Sequence, residues 1–416
     1  MSRNRSKLLI HPLTLFVSVW LFCFLLYAMH LSGLLIFDTD DVGRIVKWII
    51  FPFAIATLIF ELFYFVSPKM RRRFKRVDID DESYLQRVEQ NLDRWFRYWL
   101  ALTVVEIIFS GGVPILWLLT GSAKTYTDFG LPVIHVFVGS LLSVISLAKL
   151  GLYLLRGDRR RLLIPVFQLA WAVIIVSRGA VLTALIQWVI LWFCLKGVSL
   201  KLIFRTVVVS VLVILMFGYI GDSRATGLST FRDLARPTEN YPDWLPSGVL
   251  WFYIYITSPL DNLVNTSLGT KPSYNILFPR TTYYLFPTVI RDAIYGKDST
   301  LGQGGDLVDS SLNVSSAYIG PFLDYGYAGI TCFSVLMGLI SGYLWKKRGT
   351  FRDQLLYSII AQCLVFSIFW NYLFYNPFLG QIFWIYLLFS LRISRPIPRR
   401  KTVRTSLLNH KEAAFG

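Results

Sequence analysis

The sequence predicts an all-α polytopic membrane protein that forms a single domain over residues 1–416. Of its 416 residues, 55% are of the types AVILMFWYC and 16% are charged, and the mean hydropathy is +0.53. An ordinary soluble domain carries about 25% charged residues. A soluble domain of this size also has too little interior to hide so much apolar surface. The composition therefore excludes a soluble enzyme.

Ten apolar runs predict about ten transmembrane helices, or up to twelve if interfacial or re-entrant segments are included. A hydrocarbon core about 30 Å thick requires about 20 apolar residues per helix. Solid runs of this kind differ from the short alternating strands of a membrane β-barrel. The first run is too long for the core of a signal peptide, so we interpret it as an anchor. The runs are 13–36, 46–66, 98–119, 131–155, 162–177, 180–195, 202–220, 325–345, 354–371 and 378–392.

The distribution of Lys and Arg predicts the orientation of these helices. Most of the 42 Lys and Arg side chains lie in segments that ten spans place on one side of the membrane. The positive-inside rule identifies that side as cytoplasmic, and both termini are then cytoplasmic. The short segments on the other side contribute only Arg44, Lys124 and Arg178. The basic segments are 1–12, 67–97, 156–161, 196–205, 346–353 and 392–416.

Two longer segments connect the predicted spans. Residues 221–324 form an external segment between the seventh and eighth spans, and segments of this length without a function are uncommon. Its many aromatic and proline residues predict a folded lid with buried rings, and Trp251–Ile256 is apolar enough to enter the membrane interface. Residues 67–97 form a basic cytoplasmic loop, whose Lys69–Arg76 cluster suits the anionic headgroups of membrane lipids.

Four of the seven arginines on the predicted external side, which carries fewer cations than the cytoplasmic side, are candidates for binding an anion. Arg178 lies in a tight turn between two apolar runs, where it either faces a polar cavity or reaches toward lipid headgroups. The other three lie in the long segment, where a salt bridge to a neighbouring aspartate is the alternative. Guanidinium groups bind phosphate oxygens in a bidentate manner. Together they predict an anion-binding site made of Arg178, Arg224, Arg280 and Arg291.

The position of Asp324, where the eighth predicted span begins, allows two roles. An acid at the mouth of a helix suits proton transfer, and it equally suits capping the first turn of that helix. Two other ionisable side chains lie within predicted spans, Glu106 in the third, where we assign it no role, and His135 near the external end of the fourth. Glu106 is expected to be buried and paired, and His135 either reaches a site or is structural.

Evidence for a metal, a cofactor or a nucleic-acid partner is weak. The four cysteines lie in apolar runs without C-x-x-C spacing, which excludes a disulfide framework and a thiolate metal site. Asp38, Asp40 and Asp41 resemble a D-x-D metal site, but acidic external loops are common. The glycines before Asp306 follow no strand and so form no nucleotide-phosphate loop. The net charge of +17 reflects membrane topology before nucleic-acid binding. We therefore predict no metal, no cofactor and no nucleic-acid partner.

Several short motifs, in this order and placement, resemble the O-antigen polymerase family of bacterial oligosaccharide repeat-unit polymerases. The resemblance covers about residues 160–345, and the predicted topology supports it along the whole chain. The motifs are Ser177-Arg178-Gly179-Ala180, Gly221-Asp222-Ser223-Arg224, Thr257-Ser258-Pro259-Leu260-Asp261-Asn262, Phe278-Pro279-Arg280 and Asn313-x-Ser315-x3-Tyr318-x5-Asp324-Tyr325-Gly326-x2-Gly329.

The resemblance implies a glycosyltransferase of GT-C-like fold in the bacterial inner membrane, acting at the periplasmic face. Its substrates would be oligosaccharides linked to undecaprenyl diphosphate, and a chain-length-determining co-polymerase would be its partner. The growing glycan would pass from its lipid diphosphate to the terminal sugar of a new repeat unit, without a metal or cofactor. In that reaction Arg178, Arg224, Arg280 and Arg291 would hold the diphosphate, Asp324 would be the base or an orienting acid, and Tyr318 would contact substrate. Arg donors stabilise the charge that develops on a departing diphosphate.

Three alternatives remain from the sequence. The related lipopolysaccharide ligases use a His on their large loop, and residues 221–324 contain none. A transporter or lipid flippase predicts inverted repeats and short external loops, which this chain lacks. A metal-dependent GT-C transferase would use Asp38, Asp40 and Asp41.

Overall fold

The described part of the chain is helical apart from loops and one isolated β-bridge, between Ser32 and Pro237. The computed structural model describes residues 8–73, 82–199, 203–205, 207–208, 211, 215, 231–297, 299–302, 304–310 and 312–390. The predicted all-α class is confirmed for these residues. Their α-helices are α1 Pro12–Tyr27, α2 Thr39–Val66, α3 Pro68–Arg73, α4 Glu82–Ser110, α5 Pro114–Thr120, α6 Ile134–Arg156, α7 Leu163–Ile174, α8 Arg178–Lys196, α9 Phe231–Leu234, α10 Ser247–Gly269, α11 Pro279–Thr282, α12 Thr288–Tyr295, α13 Ile319–Lys347, α14 Phe351–Phe366 and α15 Asn376–Ser390.

Five helical segments of the described residues are long and apolar enough to cross a membrane, as expected of a helical membrane protein. They are α2, α4 together with α5, α6, α8 and α13. The predicted runs at 162–177, 354–371 and 378–392 lie on helices of only 12, 16 and 15 residues. At 1.5 Å per residue these helices are about 18–24 Å long, less than a hydrocarbon core of about 30 Å. The run at 202–220 lies mostly outside the described residues, so the count of ten spans stays a prediction.

The first predicted span, 13–36, is wrong at its C-terminal end. Helix α1 ends at Tyr27, and the apolar residues after it form a loop. The carboxylate of Asp261, far along the chain, holds this loop by accepting hydrogen bonds from the N–H groups of Ile36 (3.1 Å) and Phe37 (3.4 Å). A distant hydrogen-bond acceptor therefore holds residues of the predicted span in a loop, although their apolar composition is that of a helix in the membrane.

Helices α6 and α14 lie in the interior of the helical core. In the apolar window of α6, 78% of the residues are buried, and nearly every side chain of α14 is buried. A helix that is apolar on all sides is expected to be surrounded by other helices. Helices α1, α2, α4, α10, α13 and α15 contribute the rest of this core.

An ion-pair cluster joins α4 to the C-terminal part of α6 and to the residues that follow α6. The Glu89 carboxylate contacts the side chains of Lys149 (3.6 Å), Arg156 (2.8 Å) and Arg161 (2.7 Å). Lys149 is only 6% exposed and also pairs with Asp93 at 2.6 Å. The predicted basic loop 67–97 thus contains acidic residues that hold two helices together.

The described residues of the long segment pack against the helical core. Its helix α10 buries most of its side chains, and the fully buried Asn262 organises the chain that follows. The Asn262 side chain donates to the carbonyls of Leu312 (2.7 Å) and Val314 (2.9 Å) and accepts from the N–H of Val308 (2.9 Å). The residues from 304 onward are therefore attached to α10 before α13 begins.

Helix α13 is kinked immediately after Asp324. It begins at Ile319, earlier than the predicted start at 325, and Tyr325 and Gly326 leave the helical conformation. Gly326 has φ +60° and ψ −146°, a region that a residue with a Cβ rarely enters. The kink separates the short segment that carries Asp324 from the long apolar part of the helix.

Candidate functional site

The short helix Pro279–Thr282, here called the arginine turn, carries Arg280 on the long segment. It follows Phe278, whose backbone is left-handed (φ +49°) and whose ring stacks on Tyr325 at the kink of α13 (centroids 5.7 Å apart). The turn is thereby attached to the kinked end of that helix.

The Asp324 carboxylate holds the arginine turn from α13. One oxygen accepts the backbone N–H of Arg280 (3.0 Å), and the other accepts the N–H (2.7 Å) and the hydroxyl (2.7 Å) of Thr281. Asp324 is fully buried. It therefore binds the free N–H groups of a different turn, whereas its own helix begins five residues earlier. Hydrogen bonds to an ionised acceptor are about twice as strong as neutral ones.

Two further features fix the arginine turn. The side chain of Asn371, in the loop between α14 and α15, donates to the carbonyl of Thr281 at 3.0 Å. Gly320 lies so close that a Cβ there would stand 3.1 Å from the Arg280 carbonyl oxygen and from the Thr281 Cα. The turn thus has polar partners on two sides and a glycine on the third, so its backbone is well constrained.

The Arg280 guanidinium itself is left without a partner in the part of the chain that the structure describes. Arg280 is half-buried and is one of the residues that line a cavity of about 50 Å³, here called the arginine pocket. The backbone is held while the charged group makes no hydrogen bond or ion pair with described residues. A rigid turn that presents an unpaired guanidinium is an arrangement suited to binding an anion. The arginine pocket is lined by Arg280, Thr281, Tyr284, Leu301, Gly302, Gly304, Ser315, Ser316, Ala317, Ile319, Gly320, Trp370, Asn371 and Phe374.

Arg291 lies beside the same group of residues. Its guanidinium stands over the rings of Tyr283 (4.5 Å) and Tyr284 (5.4 Å), and it donates to the Thr288 hydroxyl at 3.3 Å. Within the described residues it forms no salt bridge with Asp292, and its buried Nε has no hydrogen-bond partner. Burial raises the pKa of the Tyr284 phenol and Arg291 lowers it, so Tyr284 stays neutral at physiological pH.

Exposed apolar side chains flank both arginines. Ile276 and Leu277, which precede the arginine turn, are 77% and 79% exposed. Helix α12, which carries Arg291, exposes Val289, Ile290 and Ile294. Cationic groups bordered by exposed apolar surface suit an amphiphile with an anionic headgroup.

The other predicted arginines do not join this group in the described residues. Arg178 is the exposed first residue of α8, whose N-terminus is capped by Ser177, and its guanidinium has no partner in the described residues. Arg178 does not line the arginine pocket. Arg224, together with Asp222, lies outside the described residues, so its predicted role stays a prediction.

The structure places Tyr318 in the core. It is fully buried, packs edge-on against Trp20 (5.4 Å) and accepts a hydrogen bond from the Ser334 hydroxyl (3.2 Å). Its neighbours Ala317 and Ile319 line the arginine pocket, and Tyr318 does not. A substrate would reach its ring only after rearrangement of this packing.

Several predicted acidic residues have structural partners. The Asp306 carboxylate accepts from the Thr270 hydroxyl, and Asp41 pairs with Arg44 at 3.5 Å. Among the described residues, no group of three or more His, Cys, Asp or Glu side chains is arranged to hold a metal ion, and this includes Asp38, Asp40 and Asp41.

A second, larger cavity of about 320 Å³ lies among the apolar helices. Glu106, buried and paired as predicted, accepts from Nδ1 of His135 at 3.1 Å in its wall. Sequence reasoning missed the rest of this cavity and the roles of Thr281 and Asn371. These residues have no motif of their own, and their partners lie far away in the sequence.

No protein-family model, curated protein or solved structure matches this chain.

Proposed function

We propose that this chain is a glycosyltransferase that polymerises lipid-linked oligosaccharides, as O-antigen polymerases do. The observation that carries the proposal is the arginine turn, which is held by Asp324 and presents an unpartnered Arg280 beside Arg291 and exposed apolar residues. A lipid diphosphate combines the two chemical features that this surface suits, an anionic headgroup and an apolar chain.

The proposed reaction breaks the bond between an anomeric carbon and a diphosphate oxygen. The anomeric carbon then bonds to a hydroxyl oxygen of the acceptor sugar, whose proton is lost, and undecaprenyl diphosphate departs. Negative charge grows on the departing diphosphate while the sugar becomes oxocarbenium-like. Arg280 and Arg291 would stabilise that charge, and a preorganised donor acts most strongly on charge that develops in the transition state.

In this proposal Asp324 is a positioning residue. Both of its oxygens already accept hydrogen bonds from the arginine turn, which supports a role in holding Arg280 in place over a role as general base. We also propose the membrane topology that the family resemblance implies: about ten spans in a GT-C-like arrangement, both termini in the cytoplasm, and residues 221–324 in the periplasm. A chain-length-determining co-polymerase would be the partner.

The test is a purified assay with defined undecaprenyl-diphosphate-linked repeat units, in which chain length is measured on gels. Arg280→Ala should lower the polymerisation rate by about 100- to 1,000-fold, as expected when one charge-stabilising donor is lost. Arg280→Lys should recover part of the rate, because Lys keeps the charge without the planar fork.

The matched control is Arg232→Ala on the same long segment. Arg232 pairs with the fully exposed Asp243 at 2.8 Å, an arrangement that contributes little to stability. Polymer of normal length from Arg280→Ala protein, at normal protein level, would contradict the proposal.

A second candidate function is a flippase for lipid-linked oligosaccharides, which would use the same cationic and apolar surface around the arginine turn to bind its lipid diphosphate. Fluorescent lipid-linked oligosaccharide in proteoliposomes distinguishes the two functions. A flippase would move the lipid across the bilayer without lengthening the glycan, and a polymerase would lengthen it.

A further inference from the structure

We propose that the 320 Å³ cavity, here called the amide cavity, binds one pyranose ring of the glycan. The choice of a sugar over another hydroxyl-rich ligand rests on the proposed function. Ligand sites in proteins typically measure about 300–1,000 Å³, so this volume suits a single ring and not an oligosaccharide. Helices α4, α6, α7, α8, α14 and α15 and the loop before α15 form its wall.

The wall of the amide cavity combines aromatic rings with amide side chains. Trp99, Trp171, Tyr372 and Tyr375 supply ring faces for the C–H surface of a sugar, and hydroxyl groups of Ser140, Ser143 and Thr183 lie among them. The amides are those of Gln168, Gln362, Gln381 and Asn376. Each amide offers both donors and acceptors, which matches the hydroxyl groups of a pyranose.

In three of these wall residues, one polar side-chain atom has no hydrogen-bond partner among the described residues. The atoms are Nε1 of Trp99, Oε1 of Gln168 and Nε2 of Gln362, and all three residues are at least nine-tenths buried. Buried polar atoms of this kind normally have a partner. These three atoms are enclosed in this conformation, so a sugar hydroxyl would reach them only after a small shift of the wall side chains, whereas a hydrocarbon chain could not satisfy them in any arrangement.

Neighbouring groups hold the amides in place before any ligand arrives. The Gln187 amide donates to the carbonyl oxygens of Gln362 (3.2 Å) and Gln381 (2.9 Å). The Glu106 carboxylate accepts from His135 and from the N–H of Leu131 (3.3 Å). Preorganised polar groups reduce the free energy lost in ordering a site when a ligand binds.

The loop between α14 and α15 contributes residues to both the amide cavity and the arginine pocket. In the loop between α14 and α15, Trp370 and Asn371 line the arginine pocket, whereas Tyr372 and Tyr375 line the amide cavity. A sugar in the amide cavity would therefore lie one loop away from the anion-binding turn. This is the relation expected of a sugar site and a diphosphate site in one transferase.

The experiment measures saturation-transfer NMR of methyl pyranosides of glucose, galactose, mannose and N-acetylglucosamine, added to protein purified in a sugar-free detergent. At least one methyl pyranoside should bind, and glycerol should not. Gly139→Phe fills the cavity and should weaken binding at least tenfold. A Cβ at this wall residue meets nothing within 4 Å, so the variant should fold.

Gln362→Met and Gln354→Met form a matched pair on α14. Both glutamines are buried with one unpartnered amide atom, but only Gln362 lines the cavity. Gln187 keeps its hydrogen bond to Gln381 when Gln362 is replaced. Gln362→Met should weaken binding at least tenfold, and Gln354→Met should leave it unchanged.

Absence of binding by all four pyranosides would overturn the sugar site. Two other results would also overturn it: binding to the Gly139→Phe protein that is as strong as binding to the unaltered protein, or detection by native mass spectrometry of a co-purified lipid that the Gly139→Phe protein lacks. The proposed function is judged separately. Pyranoside binding without polymerisation would refute the polymerase function and leave the sugar site standing. Polymerisation without pyranoside binding would refute the sugar site and leave the polymerase function standing. Arg280→Ala should abolish polymer and leave pyranoside binding intact.

Discussion

The contacts of Asp324 predict how its replacement by Asn should affect activity. Asn keeps one oxygen, which can still accept from the N–H and hydroxyl of Thr281. Its amide nitrogen would then face the N–H of Arg280, which loses its acceptor. An orphaned buried donor costs about 1–3 kcal/mol. Since 1.36 kcal/mol corresponds to about tenfold, we expect a rate loss of roughly 5- to 150-fold.

Two other variants loosen the same turn without touching an acid. Thr281→Val removes the hydroxyl bond to Asp324, and Asn371→Leu removes the bond to the Thr281 carbonyl. A single hydrogen bond contributes about 0.5–1.5 kcal/mol net, which predicts losses of roughly 2- to 12-fold for Asn371→Leu. Thr282→Val is the matched control, because among the described residues the Thr282 hydroxyl bonds only to the carbonyl of Phe278, the residue before the turn.

The assay is the rate of polymerisation as a function of pH, with kcat and KM determined separately. A positioning role predicts that all three loosening variants lower the rate and keep the shape of the pH profile. A general base contributes about 100- to 10,000-fold. A much larger loss in Asp324→Asn alone, with disappearance of the acid limb of the profile and normal rates for Thr281→Val and Asn371→Leu, would refute the positioning role.

Three further predictions concern stability and packing. Asp261→Ala orphans the backbone N–H donors of Ile36 and Phe37 at about 1–3 kcal/mol each, while the Tyr27 hydroxyl keeps the Phe37 carbonyl as its acceptor. The thermal unfolding temperature should therefore fall well below that of the exposed-site control Asp243→Ala. Glu89→Gln should lower the free energy of unfolding by an amount near the lower end of the roughly 3–5 kcal/mol seen when a buried ion pair is broken. The control Glu82→Gln, at an exposed carboxylate, should change it little, and equal unfolding curves for the two variants would contradict this prediction. Gly320→Val should overpack the contact with the arginine turn, which costs about 1–3 kcal/mol of stability, and so displace the turn. Polymer should then be lost while most of the protein stays folded, and unchanged polymer would show that the close approach is unimportant.

The candidate site was predictable from the sequence only in part. Arg280 and Arg291 are recognisable because few cations occur on the predicted external side. Asp324 is recognisable as an acid near the start of a predicted span, but its binding to a different turn is not, because that turn lies about forty residues earlier in the chain. Tyr318 belongs to the same motif as Asp324, and its burial depends on Trp20, from the first helix of the protein.

Local composition alone determined that this chain forms apolar helices. Each predicted apolar run within the described residues overlaps a helix, because a long apolar stretch has to satisfy its backbone groups internally. The five longest of these segments also have the length and composition of membrane spans.

Only the tertiary structure decided where helices end and which charged groups remain free. Asp261 holds the loop after α1, and the turn that carries Arg280 is fixed because Asp324 and Asn371 bind its backbone. Helix α14 resembles a span in composition, but neighbouring helices bury it on all sides. Each of these outcomes depends on hydrogen bonds or packing between residues far apart in the chain, and hydropathy within a window of twenty residues contains no information about such partners.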